Sequence, residues 1–140
     1  MAYDPNNIFA RILRGELPCI RLYEDDQTLS FMDIMPQLPG HALVIPKEPA
    51  VTIYELSDES MAACLRTAKK VGKALEQAFG FNGTSLFQLN GTEAGQTVPH
   101  VHFHVLPGAF LQSKALKGHA AEMADLAELE ILAARVRSFL

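Results

Sequence analysis

The sequence predicts an α+β domain, a single antiparallel sheet carrying a long central helix with further helices near each end. Three observations predict it. Apolar residues alternate with polar ones in short stretches before residue 46 and again after residue 84. Between them lies one long stretch with apolar residues at helical spacing. The links between neighbouring strands are too short for parallel crossovers, so the pairing is expected to be antiparallel.

The elements follow in order. Asp4-Pro5 is expected to open the first helix, with Asp4 as N-cap and Pro5 at the first helical position. Ile8, Phe9, Ile12 and Leu13 fall on one helical face, and Gly15 ends it. Ile20 and Leu22 read as a half-buried strand, and Glu24-Asp25-Asp26 as a turn. Leu29, Phe31 and Asp33 continue an alternating strand closed by Pro36 and Pro39-Gly40. His41 to Ile45 is a strand stopped by Pro46. The clearest helix runs from about Asp58 to Phe79. Ser57 is its N-cap, Asp58 and Glu59 suit its positive start, Leu56 and Met61 form a hydrophobic staple, and Gly80 stops it. Its apolar stripe is Met61, Leu65, Ala68, Val71, Leu75 and Phe79, with Lys69, Lys70, Lys73 and Glu76 facing water. Next come a strand over about Thr84 to Leu89, a loop from Asn90 to Pro99, and a strand over about His100 to Leu106. A last helix begins after Asp125, with Asp125 and Glu128 as a capping box and Leu129, Leu132, Val136 and Phe139 as its buried stripe.

Composition narrows the function classes. The 140 residues are 49% hydrophobic and 20% charged, which fits one globular domain over residues 1–140 with a sizeable core. Twelve Lys and Arg against sixteen Asp and Glu leave a net charge of −4, which argues against general affinity for nucleic acid or anionic lipid. The longest apolar runs are far short of a membrane span. The opening MAYDPNNIF lacks a basic stretch followed by an apolar core, so no signal peptide is expected. Cys19 and Cys64 cannot build a disulfide framework or a CxxC site. Cys64 reads as core and Cys19 as structural; the expected setting is the reducing cytoplasm.

The informative segment is His100-Val101-His102-Phe103-His104-Val105-Leu106. If it is a strand, the three imidazoles share one face and Val101, Phe103 and Val105 share the other. Neutral imidazole is a nucleophile and an acid or base near neutral pH. Two flanking rings can serve an anion attacked by the central one, which suits a phosphoryl centre. Two other readings stay open at this point: a plain polar sheet face, and a metal site sharing two of the rings. The sequence offers no well-spaced Cys or carboxylate to complete a metal site. The preceding loop, Asn90-Gly91-Thr92-Glu93-Ala94-Gly95-Gln96-Thr97, is small and polar. Its backbone N–H groups and the Thr97 hydroxyl could approach phosphate oxygens.

With these residues in view, the chain resembles the histidine triad (HIT) family, whose His-φ-His-φ-His-φ-φ pattern (φ apolar) is matched at every position from His100 to Leu106. Asn7-Ile8-Phe9, Arg14-Gly15-Glu16-Leu17-Pro18, Tyr23-Glu24-Asp25-Asp26, Phe31-Met32-Asp33-Ile34, Pro39-Gly40-His41 and Leu43-Val44-Ile45-Pro46-Lys47 resemble its Hint branch. The resemblance covers at least residues 5–107, leaving about 108–140 as a C-terminal extension. It implies a HIT-like fold and a nucleotide hydrolase acting on purine nucleoside phosphoramidates through a covalent nucleotidyl-histidine, without a cofactor, as a homodimer pairing the long helix and a strand between about Asp58 and Leu89.

By position, the resemblance implies that His102 is the nucleophile, that His104 contacts the α-phosphate and that His100 orients His102. His41 matches a further histidine behind the triad. Asn90, Gly95, Gln96 and Thr97 match the phosphate-binding loop, and Asp33 the carboxylate for the ribose hydroxyls. Ile8, Phe9, Ile12, Phe31, Ile34 and Leu43 match the base pocket. Read without the resemblance, Asp33 also fits a strand-end turn cap, the apolar six fit plain core, and His41 a structural histidine; His119, in an expected loop, has no role assigned. Some HIT proteins carry cysteines near the first helix that help bind zinc. Here those positions read Asn7-Ile8-Phe9-Ala10, so no metal is expected. Pro99 removes a backbone donor directly before the triad. The tail lacks a Trp and ends in an expected helix, which leaves substrate specificity open. The rival functions are dinucleoside polyphosphate hydrolysis, as in the Fhit branch, a nucleotide-binding interaction module with incidental catalysis, and a metal-binding protein.

Overall fold

The computed structural model describes residues 2–108 and 122–140; His119 lies outside them. Three helices and five strands follow in the order α1 (Ile8–Leu13), β1 (Arg21–Glu24), β2 (Thr28–Met32), β3 (Ala42–Pro46), α2 (Asp58–Phe79), β4 (Thr84–Gln88), β5 (Phe103–Pro107) and α3 (Leu126–Arg137). The strands form one antiparallel sheet in the order β1-β2-β3-β5-β4. The α+β expectation is met. No described helix is long and apolar enough to cross a membrane.

Helix α2 has the bounds the sequence indicates because both stops are local. The Ser57 side chain accepts from the Ser60 N–H at its start, and Gly80 takes a left-handed conformation (φ 72°) at its end. Glu48 braces the same start: its carboxylate accepts from the Ser57 N–H and from the Ser57 and Ser60 hydroxyls, which holds its pKa below the usual carboxylate range. The buried stripe of α2, including Cys64, Ala68, Val71 and Leu75, covers one sheet face made by Leu22, Met32, Ala42, Val44, Phe103 and Val105. Leu65 departs from the expected stripe: it points away from this core and is exposed. Helix α3 adds Leu129, Ala133 and Val136 to the same core, while Phe139 is exposed. Ala133 is buried instead, and Leu132 of the expected stripe is partly buried against the same core. Arg137 donates to the Arg21 carbonyl and so ties α3 to β1.

The opposite sheet face carries Phe9 of α1 on Leu29, Phe31, Leu43 and Ile45. With both faces covered, every residue of β2, β3 and β5 is buried, so the half-buried alternation expected for β2 is absent. The polar residues of β2 are satisfied inside: Ser30 Oγ donates to the Leu43 carbonyl, and the Thr28 and Thr67 hydroxyls pair at 2.7 Å.

Several boundaries differ from expectation. Strand β3 starts at Ala42 and includes Pro46, which was expected to stop it. Asp4 does not cap α1; Asn7 does, its side chain accepting from the Ala10 N–H. Asp4 instead folds a turn ahead of the helix, with its carboxylate on the Asn6 N–H and its carbonyl receiving the Asn7 N–H. Strand β5 begins at Phe103, so His100 and His102 precede it rather than lying in it.

Candidate active site

The three histidines still converge, for a reason other than strand alternation. His104 is in β5, and the His102 and His104 rings are 4.9 Å apart between centroids. Residues 100–102 are held by single contacts from elsewhere: the Val101 N–H donates to the Ala50 carbonyl at 2.9 Å, and His100 Nε2 lies 2.9 Å from the Pro46 carbonyl. All three rings are buried.

Hydrogen-bond partners set the tautomers. A carbonyl only accepts, so His102 Nδ1, 2.7 Å from the His100 carbonyl, carries the ring proton and Nε2 carries the lone pair. By the same rule His100 holds its proton on Nε2. His100 Nδ1 then accepts from the Tyr3 hydroxyl at 2.6 Å. Behind His104, the Gln37 N–H donates to His41 Nδ1 at 3.0 Å, which puts the His41 proton on Nε2. That nitrogen lies 2.9 Å from His104 Nδ1, so His104 accepts there and keeps its own proton on Nε2. Phe87 stacks flat on the His104 ring at 4.3 Å from across the β4–β5 ladder.

Burial pushes the His100 pKa below the ordinary imidazole value, only partly offset by the Pro46 carbonyl. The folded protein therefore takes up this proton less readily than the unfolded chain. The sign follows from linkage: the stability this site contributes is fully present above the unfolded pKa of about 6.5 and falls as pH drops below it. Thermal unfolding between pH 8 and 5 is expected to show a midpoint that declines below about pH 6.5, with a shallower decline in His100→Gln. Equal slopes in the two proteins would remove His100 as the cause.

Beside the histidines lies a cavity of about 500 Å³. All six apolar residues expected for a base pocket line it: Ile8, Phe9, Ile12, Phe31, Ile34 and Leu43. Asp33 and Thr97 line it too. Ile8 is 54% and Ile34 42% exposed, large apolar side chains held at a rim rather than packed away. Phe9 joins the cavity to the triad, edge-on to Phe31 at 5.4 Å and to His102 at 5.0 Å. Asp33 is 4% exposed; one oxygen accepts from the Met35 N–H at 2.8 Å and the other sits 3.4 Å from His41 Nε2.

The loop residues divide. Gln96 is buried and its amide grips backbone, Oε1 accepting from the Gly91 N–H and Nε2 donating to the Val51 and Val98 carbonyls. Asn90 accepts from the Ile53 N–H and pairs its amide with that of Gln88. Both side chains shape the loop, and neither lines the cavity. Gly95, at φ 102°, closes the 3-10 turn Thr92–Ala94 by donating its N–H to the Thr92 carbonyl.

Sequence reasoning missed Tyr3, Phe87 and the Gln37 N–H, which orient the histidines, and Pro18, Cys19, Met32, Met35 and Val98 in the cavity wall. Neither contact had a local signal: residues 89–102 separate β4 from β5, too long a connection for a turn to fix the Phe87–His104 register, and Tyr3 lies 97 residues from His100. Burial raises the Cys19 thiol pKa, which argues against a reactive thiolate.

Two metal readings can be tested on this geometry. Asp33, His41 and His104 each bring one potential ligand atom within 4.8 Å of the others. A metal on His41 Nε2 would force the ring proton onto Nδ1, donor against donor with the Gln37 N–H. The zinc site of some HIT proteins fits no better. Asn7 stands at the first of those positions as a helix cap, its side chain accepting from the Ala10 N–H. Neither arrangement suits a metal ion.

Known proteins are similar to this chain. The HIT domain family model matches residues 14–111. The adenosine 5'-monophosphoramidase hnt1 of Schizosaccharomyces pombe is 49% identical over 100 residues, 71% of this chain and 72% of that protein. The adenylylsulfatase HINT3 of Arabidopsis thaliana is 34% identical over 120 residues, 83% of this chain and 61% of that one. Among solved structures, a Hit-like protein from Bartonella henselae superposes with a TM-score of 0.86 at 38% identity, covering 99% of this chain and 100% of its own. A family match across most of the sheet, relatives at this level of identity and a triad built as described together show that the chain belongs to the histidine triad family, on its Hint-like branch.

Proposed function

We propose that this HIT-family nucleotide hydrolase cleaves the P–N bond of purine nucleoside phosphoramidates through a covalent nucleotidyl-histidine. The observation that carries the reading is the His102 tautomer: its Nδ1–H is committed to the His100 carbonyl, which places the nucleophilic lone pair on Nε2, beside an apolar cavity of nucleoside size.

The steps follow from the ring nitrogens. A purine base occupies the cavity among Phe9, Phe31 and Leu43, with Asp33 at the ribose. His102 Nε2 attacks the α-phosphorus, a new P–N bond forms to the histidine, and the bond to the substrate amine breaks as the amine takes a proton from solvent and leaves. His104 offers its Nε2–H to a phosphoryl oxygen, where transition-state charge resides. Exposed Thr97 and the turn at Gly95 face the phosphate from the loop that Gln96 and Asn90 hold. Water then displaces His102 from phosphorus and releases AMP. The leaving amine and the histidine form the same bond type to phosphorus, so the first transfer exchanges one P–N bond for another, and the second replaces P–N by P–O.

This reading takes residues 1–140 as one domain with a core over about 5–107, the extension contributing α3. It includes a homodimer. Edge strand β4 and the exposed side of α2 share a groove in which Leu65 and Leu86 are 46% and 50% exposed. Sedimentation equilibrium is expected to give twice the chain mass, with Leu86→Lys reverting to the single-chain mass; single-chain mass for the unaltered protein rules the dimer out.

The test of the chemistry is AMP release from a lysine-linked adenosine phosphoramidate, with and without EDTA. EDTA-resistant release is expected, with an alkali-stable, acid-labile AMP adduct on His102. No release from the intact protein sinks the phosphoramidase reading and turns attention to dinucleoside polyphosphates, then to binding without chemistry.

A further inference from the structure

His100 and His102 precede β5, so the peptide whose carbonyl sets the His102 tautomer is held outside the ladder, by the Val101 N–H on the Ala50 carbonyl at one end and by the His100 residue at the other. The His100 ring must be held by other means. Its Nε2–H is 2.9 Å from the Pro46 carbonyl on one side. On the other, the hydroxyl of Tyr3, 97 residues away in sequence, donates to Nδ1 at 2.6 Å, with the two rings edge-to-face at 5.6 Å. Flipping the imidazole would replace both nitrogen contacts with carbon ones. The arm that delivers Tyr3 is itself fastened. Arg14 donates to the Pro5 carbonyl at 2.6 Å, and the Asn7 amide to the Asp4 carbonyl at 2.8 Å.

We propose that Tyr3 is a positioning residue for the reaction: its hydroxyl clamps the His100 ring against Pro46, and so holds the His100 carbonyl where it keeps the His102 proton on Nδ1. Tyr3 acts through His100 and touches no reacting atom. The inference rests on the phosphoramidase reading for its kinetic arm alone.

The experiment compares the full chain with Tyr3→Phe and Tyr3→Ala. Tyr3→Phe keeps the ring and its packing and removes one donor. Its kcat is expected to fall about tenfold, the effect of one orienting hydrogen bond, with KM changed less than twofold. Tyr3→Ala is expected to lose kcat to the same extent while unfolding at lower temperature. A structural role would do the opposite: Tyr3→Phe would keep its kcat, and only Tyr3→Ala would lose activity, in step with stability. That outcome overturns the proposal. The second arm does not need turnover. Nitrogen-15 NMR of labelled histidine is expected to show His102 protonated on Nδ1 in the unaltered protein and a mixture of both tautomers in Tyr3→Phe. An unchanged His102 signal in Tyr3→Phe overturns the proposal even if the protein proves inactive on phosphoramidates, and a changed one upholds it in that same case.

Discussion

Replacing His102 with alanine is expected to lower AMP release from an adenosine phosphoramidate by about four orders of magnitude or more, because the covalent route disappears rather than weakens. The size follows from how little else at the site could substitute. His104 Nδ1 is occupied by His41, and its other nitrogen carries a proton. The two ring nitrogens of His100 are held by Pro46 and Tyr3. Neither neighbour offers phosphorus a lone pair without breaking a buried hydrogen bond, so His102 Nε2 has no understudy. Binding should survive, since the cavity wall lies on Phe9, Phe31, Ile34 and Leu43 and does not include His102. AMP affinity measured by calorimetry is therefore expected to stay within a few-fold. Activity within tenfold of the unaltered protein would show that another group attacks. Lost binding together with lost activity would point to a collapsed site instead.

Gly40→Ala is expected to be the most damaging single methyl group in the fold, costing about 3 to 5 kcal/mol and lowering the unfolding midpoint by about 10 °C or more. Two costs combine. Gly40 sits at φ +89°, where a side chain is strained, and a Cβ there would meet Pro107 Cγ at 2.8 Å and Phe79 Cε2 at 2.9 Å. Proline and a packed aromatic ring cannot swing aside, so the end of β5 or the end of α2 must move. Gly80→Ala is the control: its φ is +72°, yet a Cβ would meet nothing within 4 Å, so it bears the backbone cost alone, about 1 to 2 kcal/mol. Differential calorimetry on both variants separates the two costs, and equal losses would refute the close approach. The damage should also reach catalysis. Gly40 precedes His41, the ring that fixes His104, so Gly40→Ala is expected to lose activity at temperatures where it is still folded.

The elements differ in how much of them was legible. Helix α2 could be read to the residue because Ser57 and Gly80 act within one turn of the chain they stop. Helix α1 could not: Asp4, Asn6 and Asn7 all suit a cap, and the choice fell to Asn7 because Asp4 is used by the turn before it. Strand β2 read as half-buried because alternation reports one covered face, and here α2 covers the second. At Leu65, helical spacing marked a position apolar without saying which side of α2 the sheet would take.

The candidate site divides along the same line. Residue types and their order determined the triad, the small polar loop and the apolar residues of the cavity wall, since those properties belong to side chains and local spacing. Spacing even gave a convergent triad for the wrong reason, a strand that starts three residues later than expected. Tertiary structure decided which nitrogen of His41, His100 and His104 is protonated, whereas His102 answers to a carbonyl two residues away. Those protons answer to Tyr3, Gln37, Pro46 and His41, groups brought close from up to 97 residues away, and a hydrogen bond depends on distance and direction in space. The order of the histidines was thus readable along the chain, while the placement of most of their protons and the aim of the rings come from contacts that exist only once the sheet, the first helix and the N-terminal arm have closed around them.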